Sequence, residues 1–295
     1  MNTFDFRGLS IAYTRAGEGR PLVFLHNGGT SHAIWREVTA RLEERYEVFA
    51  LDLFGYGASA KPESGYTLEN YVGMVGEFVD HHDLKPVTLV GNCMGSAMSL
   101  AFAKNHPQGV RALVLVNPLT EATLLAGWLG ALHRLQRGAP GVAEKLYGLL
   151  GRFQAPSWSA AQVLSFQLGS RGRARGVQNN PDLCACYSSE GQMRSLFGIL
   201  SDLGNFGALD RFTPGKDFPP ICTIWGLENR VLSAKAGREL NKTLRPQREE
   251  WLSDCGHLPM LERPEEVTAI IEEFLQDCGW RENRRPAIKR TEVAS

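Results

Sequence analysis

Apolar residues along this chain follow two alternating rhythms. Nearly continuous apolar runs at 21–26, 47–53, 87–90 and 110–117 predict strands, and helical spacing predicts helices over 35–44, 68–80 and 94–105. A short hairpin over 4–13, turning near Gly8, precedes them. Strands without polar alternation mark a parallel sheet covered on both faces. The rhythm then breaks: 120–205 shows helical stretches (121–137, 142–153, 160–168, 191–203) and no convincing strand. It resumes with a strand over 221–225, a helix over 234–244, a strand over 248–252 and a helix over 264–277. The expected organisation is one α/β core, residues 1–119 and 206–279, with a helical cap inserted at 120–205 and a basic, flexible tail at 280–295.

The chemistry concentrates where the run ending at Val90 meets the helix starting at Met94. Gly91-Asn92-Cys93-Met94-Gly95 is a Gly-x-Cys-x-Gly turn between a strand and a helix. Such a turn lifts its central side chain into the open, and glycines two positions either side avoid a clash as the helix folds back over the strand. Cys93 is therefore the candidate nucleophile. His26-Asn27-Gly28-Gly29-Thr30 follows a strand and can offer the backbone N–H of Gly28, which with that of Met94 would form an oxyanion hole. His26 is expected to shape this loop. Gly256-His257 lies between the last strand and last helix and presents an imidazole. Trp225-Gly226-Leu227-Glu228-Asn229-Arg230 ends a strand in a turn able to orient that ring.

A thiol beside a histidine at a helix N-terminus can rest as a thiolate facing an imidazolium. The third residue then need only hold the ring, which an Asn oxygen can do. Cys93, His257 and Asn229 are thus read as a triad, with Glu228 and Asn117 as alternative orienters.

Composition narrows the partners. Formal net charge is zero over 295 residues, so no global field recruits nucleic acid or an anionic surface. The N-terminus lacks a signal-peptide pattern, and the apolar stretch 122–132 is too short to span a bilayer. Six scattered cysteines suit reduced thiols in a cytoplasm; Cys184-Ala-Cys186 has the wrong spacing for zinc, so neither metal nor cofactor is expected. Trp128, Leu129, Leu132, Leu135, Tyr147, Phe153, Trp158, Phe166 and Phe197 of the cap are expected mostly in its core, a few lining a pocket. Arg171-Gly-Arg-Ala-Arg175 reads as a solvated loop in preference to a phosphate site.

These motifs together resemble the α/β-hydrolase fold superfamily with a helical cap. The likeness includes Asp52-Leu-Phe-Gly-Tyr-Gly-Ala-Ser59, Trp35, the Gly-His-x-x-x-x-Glu-x-Pro run from Gly256 to Pro264, and the family's order of nucleophile, orienter and histidine. It covers nearly the whole chain outside 120–205 and the tail. The departures are Asn27 where His-Gly is usual, Cys93 for serine, and Asn229 where an acid is expected. Asn tolerates left-handed backbone, so the oxyanion loop can still form at Asn27. The resemblance implies an α/β fold with a mostly parallel twisted sheet flanked by helices, and an enzyme that attacks an ester or thioester through an acyl–Cys93 intermediate. Water as acceptor makes it a hydrolase; another acceptor makes it an acyltransferase or cyclase, with coenzyme A or a carrier-protein thioester as a donor. Meta-cleavage C–C hydrolases share the capped architecture but are expected to carry Ser and Asp. A reading from another class is a non-catalytic small-molecule-binding protein using the capped pocket.

Overall fold

The computed structural model describes residues 1–126, 130–154 and 156–279. The tail at 280–295, Trp128, Leu129 and the side chain of Leu132 lie outside the described residues. Eight strands form one sheet in the order β1-β2-β4-β3-β5-β6-β7-β8. They are β1 (Asn2–Phe6), β2 (Leu9–Ala16), β3 (Arg20–Leu25), β4 (Tyr46–Leu51), β5 (Val87–Asn92), β6 (Val110–Val116), β7 (Ile221–Gly226) and β8 (Arg248–Leu252). The first two strands pair antiparallel and β2 runs antiparallel to β4. Every other pairing, from β4 through β3, β5, β6 and β7 to β8, is parallel. Each residue of β5 and β7 is buried, which is why their sequences lack polar alternation.

Helices α1 (Arg36–Leu42), α2 (Leu68–His81) and α3 (Met94–Asn105) link the first parallel strands. Between β6 and β7 the described residues hold only helices: α4 (Glu121–Leu125), α5 (Gly130–Gly138), α6 (Pro140–Leu150), α7 (Ser157–Gln167), α8 (Ser170–Ala174), α9 (Pro181–Tyr187) and α10 (Gln192–Asp210). The chain closes with α11 (Ala234–Leu244), α12 (Pro259–Glu262) and α13 (Pro264–Asp277). Two apolar clusters form the core. One joins Val23, Phe49, Leu89 and Leu113 to α2, α3 and α10; the other joins Phe24, Val90, Val114 and Ile224 to α1 and α13.

The helices between β6 and β7 differ from expectation in three ways. The single helix expected over 121–137 is broken into α4 and α5. The arginine run is helical, in α8 and its C-cap Arg175, and two of its three cations are paired: Arg173 faces Glu228 at 3.6 Å, while Arg175 faces Glu37 at 3.4 Å and Glu265 at 3.9 Å. Helix α9 was not anticipated, although Asn180 accepts N–H bonds from Asp182 and Leu183 with Pro181 at the first helical position, a recognisable start signal. Of the apolar residues expected mostly in the cap core, Tyr147 and Phe197 are buried, but Phe153, Trp158 and Leu135 are exposed. No helix among the described residues is long and apolar enough to cross a membrane.

Candidate functional site

The site gathers at the carboxyl ends of adjacent parallel strands, the usual place for ligands in such sheets. Strand β5 ends at Asn92 and α3 begins at Met94, leaving Cys93 alone in the turn with φ +53° and ψ −107°. A side chain held at positive φ costs of order 1–3 kcal/mol and persists only where the surroundings enforce it. They do so here. The Cys93 N–H donates to Val116 O at 2.9 Å, and its carbonyl accepts from Ala97 and Leu119, each at 3.1 Å. A Cβ on Gly91 would sit 2.3 Å from the Gly95 carbonyl carbon, and one on Gly95 would sit 2.3 Å from Leu25 O. The spacing that pointed to an elbow is thus the spacing that lets α3 cross β5 and β3.

Strand β3 neighbours β5, with Leu25 opposite Gly91, so the loop after β3 runs beside Cys93. His26 is fully buried. Its Nδ1–H donates to Asn27 O at 2.7 Å and its Nε2 accepts the Leu53 N–H at 3.0 Å, which fixes a neutral tautomer. Burial holds its pKa at about 4, against the upward pull of Asp52. The ring ties the loop to the segment after β4 and has no free nitrogen for proton transfer. The Asn27 side chain works mostly inside the loop: Oδ1 accepts from Thr30 Oγ1 at 2.6 Å and Nδ2 donates to Gly28 O at 3.0 Å, with a longer 3.5 Å contact to Gln167 Oε1. The left-handed residue here is Gly29, at φ +90°, and not Asn27 as the sequence suggested. Gly28 and Met94 therefore follow the ends of neighbouring strands, as a shared oxyanion pocket requires. Met94 N–H also lies against the Cys93 sulfur and favours its anionic form. Asp52 braces the next loop, accepting from His32 N, His32 Nδ1 and Ala58 N at 2.7–2.8 Å.

His257 enters on the loop after β8, only 1% exposed, its N–H donating to Gln167 O at 2.7 Å. Burial drives its pKa down to about 3 and pushes the Cys93 thiol up to about 12. Burial works against the expected thiolate–imidazolium pair: taking both groups out of water favours the neutral thiol and the neutral imidazole. The orienting contact is corrected. His257 Nδ1 is buried without a hydrogen-bond partner among the described residues. Asn229 Oδ1 is occupied by its own turn, accepting from Val231 N at 2.9 Å and Leu232 N at 3.0 Å. Glu228 turns away to Ser170, whose N–H and hydroxyl it accepts at 2.6 and 2.9 Å. Asn117, at φ +43°, comes nearest in function: its Nδ2 donates to His257 O at 3.2 Å and its Oδ1 accepts from Gly226 N at 3.1 Å. It grips the backbone of the histidine loop and leaves the ring alone.

Sequence reasoning missed Gln167, Tyr187 and Glu262. Gln167 Nε2 donates to Tyr187 Oη at 2.6 Å, and the Tyr187 ring would lie 3.1 Å from a Cβ on Gly29. Glu262 could have been found as the Glu of the Gly-His-x-x-x-x-Glu-x-Pro run; Gln167 carries no sequence signal.

A family model described as the alpha/beta hydrolase fold matches residues 20–264. The chain belongs to the α/β-hydrolase family. Among its relatives is the 2-hydroxy-6-oxo-6-(2'-aminophenyl)hexa-2,4-dienoic acid hydrolase of Metapseudomonas resinovorans, 35% identical over 91% of this chain and 88% of that one. A haloalkane dehalogenase of Agrobacterium fabrum is 42% identical, but the match spans only 38% of this chain and 37% of the dehalogenase. A solved structure described as a membrane phospholipase A superposes with a TM-score of 0.76 at 26% identity, covering 95% of this chain and 86% of that one. Against the usual pattern of an α/β hydrolase, this chain departs at Asn27, Cys93 and Asn229 while keeping the scaffold.

Proposed function

We propose that the protein hydrolyses an ester or thioester through an acyl–Cys93 intermediate. The observation that supports this most is the strained Cys93 backbone, enforced by two glycine contacts, at the N-terminus of α3. Burial favours the neutral form of both groups, so attack and proton transfer run together: the Sγ–C bond forms as the thiol proton passes to His257. The N–H groups of Gly28 and Met94 hold the new oxyanion. Collapse breaks the carbonyl–oxygen or carbonyl–sulfur bond, and His257 returns the proton to the leaving group. Water, deprotonated by His257, then releases the acid and restores the thiol. If an alcohol, amine or thiol replaces water, the same intermediate makes the protein an acyltransferase; coenzyme A and carrier-protein thioesters stay among its candidate donors.

A second reading is favoured by the relative from Metapseudomonas resinovorans. A 6-oxo-dienoic acid has no ester or thioester, so hydrolysing it breaks a bond between the ketone carbon and another carbon. Cys93 would attack that ketone and the leaving group would be a stabilised carbanion, protonated by His257.

Intact-mass spectrometry after mixing with activated esters and thioesters tests the first reading. The expected result is one acyl adduct on Cys93, absent in Cys93→Ala, that clears in buffer. Faster clearance on adding amine, thiol or alcohol would turn the assignment to acyl transfer. Silence across the panel with turnover of a hydroxy-oxo-dienoic acid, read as loss of its absorbance, would favour the second reading. Silence in both assays would leave the capped fold as a binding protein.

A further inference from the structure

His257 Nδ1 has no partner, yet the loop that carries the ring is fixed from another direction. Three backbone groups of the segment after β8 are held by the end of α7 and by α8. The His257 N–H donates to Gln167 O at 2.7 Å, and the Arg171 N–H donates to Asp254 O at 3.0 Å. The third link runs through Glu262, which is fully buried. Its Oε1 accepts the Gly256 N–H at 2.8 Å, while its Oε2 accepts the N–H groups of Gly169 at 2.8 Å and Gly172 at 3.3 Å. No cation pairs with this carboxyl group among the described residues; backbone N–H groups of Gly256, Gly169, Leu258 and Gly172 oppose its burial, which still pushes its pKa up. The fit leaves no slack. A Cβ on Gly256 would meet Gln167 O at 2.3 Å, and one on Gly169 would meet Asp254 O at 2.5 Å.

We propose that Glu262 is a positioning residue: by joining Gly169 and Gly172 to Gly256 it holds His257 in place, the task a triad acid would otherwise perform at Nδ1. This rests on the reading of His257 as the base for Cys93. It also makes the segment 167–172 part of the catalytic apparatus.

The experiment is a double-mutant cycle on Cys93 acylation by an activated ester, read by intact mass. Glu262→Gln keeps the side-chain shape but turns an amide N–H toward backbone donors. A misplacement of about 1 Å at a reacting group can cost about 100-fold, so Glu262→Gln is expected to slow acylation at saturation by about 10–100-fold with half-saturation nearly unchanged. In a His257→Ala background the same substitution should have almost no further effect. Gly172→Ala, whose Cβ would press within 2.8 Å of the carboxylate, supplies a milder displacement with the same signature if Glu262→Gln folds poorly. An equal loss in the His257→Ala background, or none in either variant, overturns the proposal. If His257→Ala alone acylates at the normal rate, the base assignment fails first, and the positioning role with it.

Discussion

Replacing Cys93 by alanine is expected to lower turnover by about 10⁴-fold or more, and replacing His257 by alanine to lower it comparably. Groups that act as one unit are not additive, so the double variant should be no slower than the Cys93 variant. Burial pushes the Cys93 thiol up to about 12, so His257 must take its proton for attack to proceed. A preformed thiolate would attack without that help, and His257→Ala would then retain much of its acylation rate. Neither change should unfold the protein. The Cys93 backbone is held by the bonds to Val116, Ala97 and Leu119, which alanine keeps. Thermal melts alongside turnover assays separate the two effects.

Gly95→Ala is expected to carry the largest stability cost, about 3–5 kcal/mol. The added Cβ would stand 2.3 Å from Leu25 O and 2.6 Å from its carbonyl carbon. Both are backbone atoms of β3, in the middle of the sheet, so relief requires α3 to lift off the strands that place Cys93 and Gly28. Activity should fall with stability, since the oxyanion donors sit on the two elements forced apart. Gly204→Ala in α10 is the control: nothing lies within 4 Å of its Cβ, and the better helix former should stabilise by about 0.5–1 kcal/mol. Denaturant midpoints for the two variants should move in opposite directions.

The strands could be read from the sequence because burial on both faces leaves unbroken apolar runs such as 87–90 and 110–116. The elbow could be read because its constraint is steric and local: Gly91 and Gly95 are required whatever the substrate. Helices α8 and α9 were missed because arginines, glycines and prolines signal loops, and the Asn180 cap outweighed them. The orienter was misread because Asn229 sits in a turn where its oxygen can serve either the ring or its own backbone, and composition does not decide between them. The charge state of Cys93 and His257 depends on how completely α7–α10 and the loops exclude water, a three-dimensional quantity with no linear signature. Glu262 lay inside a quoted motif, but its role appears only when Gly169 and Gly172, some ninety residues earlier, come to rest on it.

The mechanism turns on Cys93 resting as a thiol. The rate of its alkylation by iodoacetamide, followed by peptide mapping to separate it from the other five cysteines, tests this directly. A thiol pushed up by burial predicts a rate that climbs steadily with pH through about pH 10 without levelling. A rate that is already maximal and flat between about pH 6 and 8 would instead reveal a thiolate paired with an imidazolium and overturn the neutral-thiol mechanism.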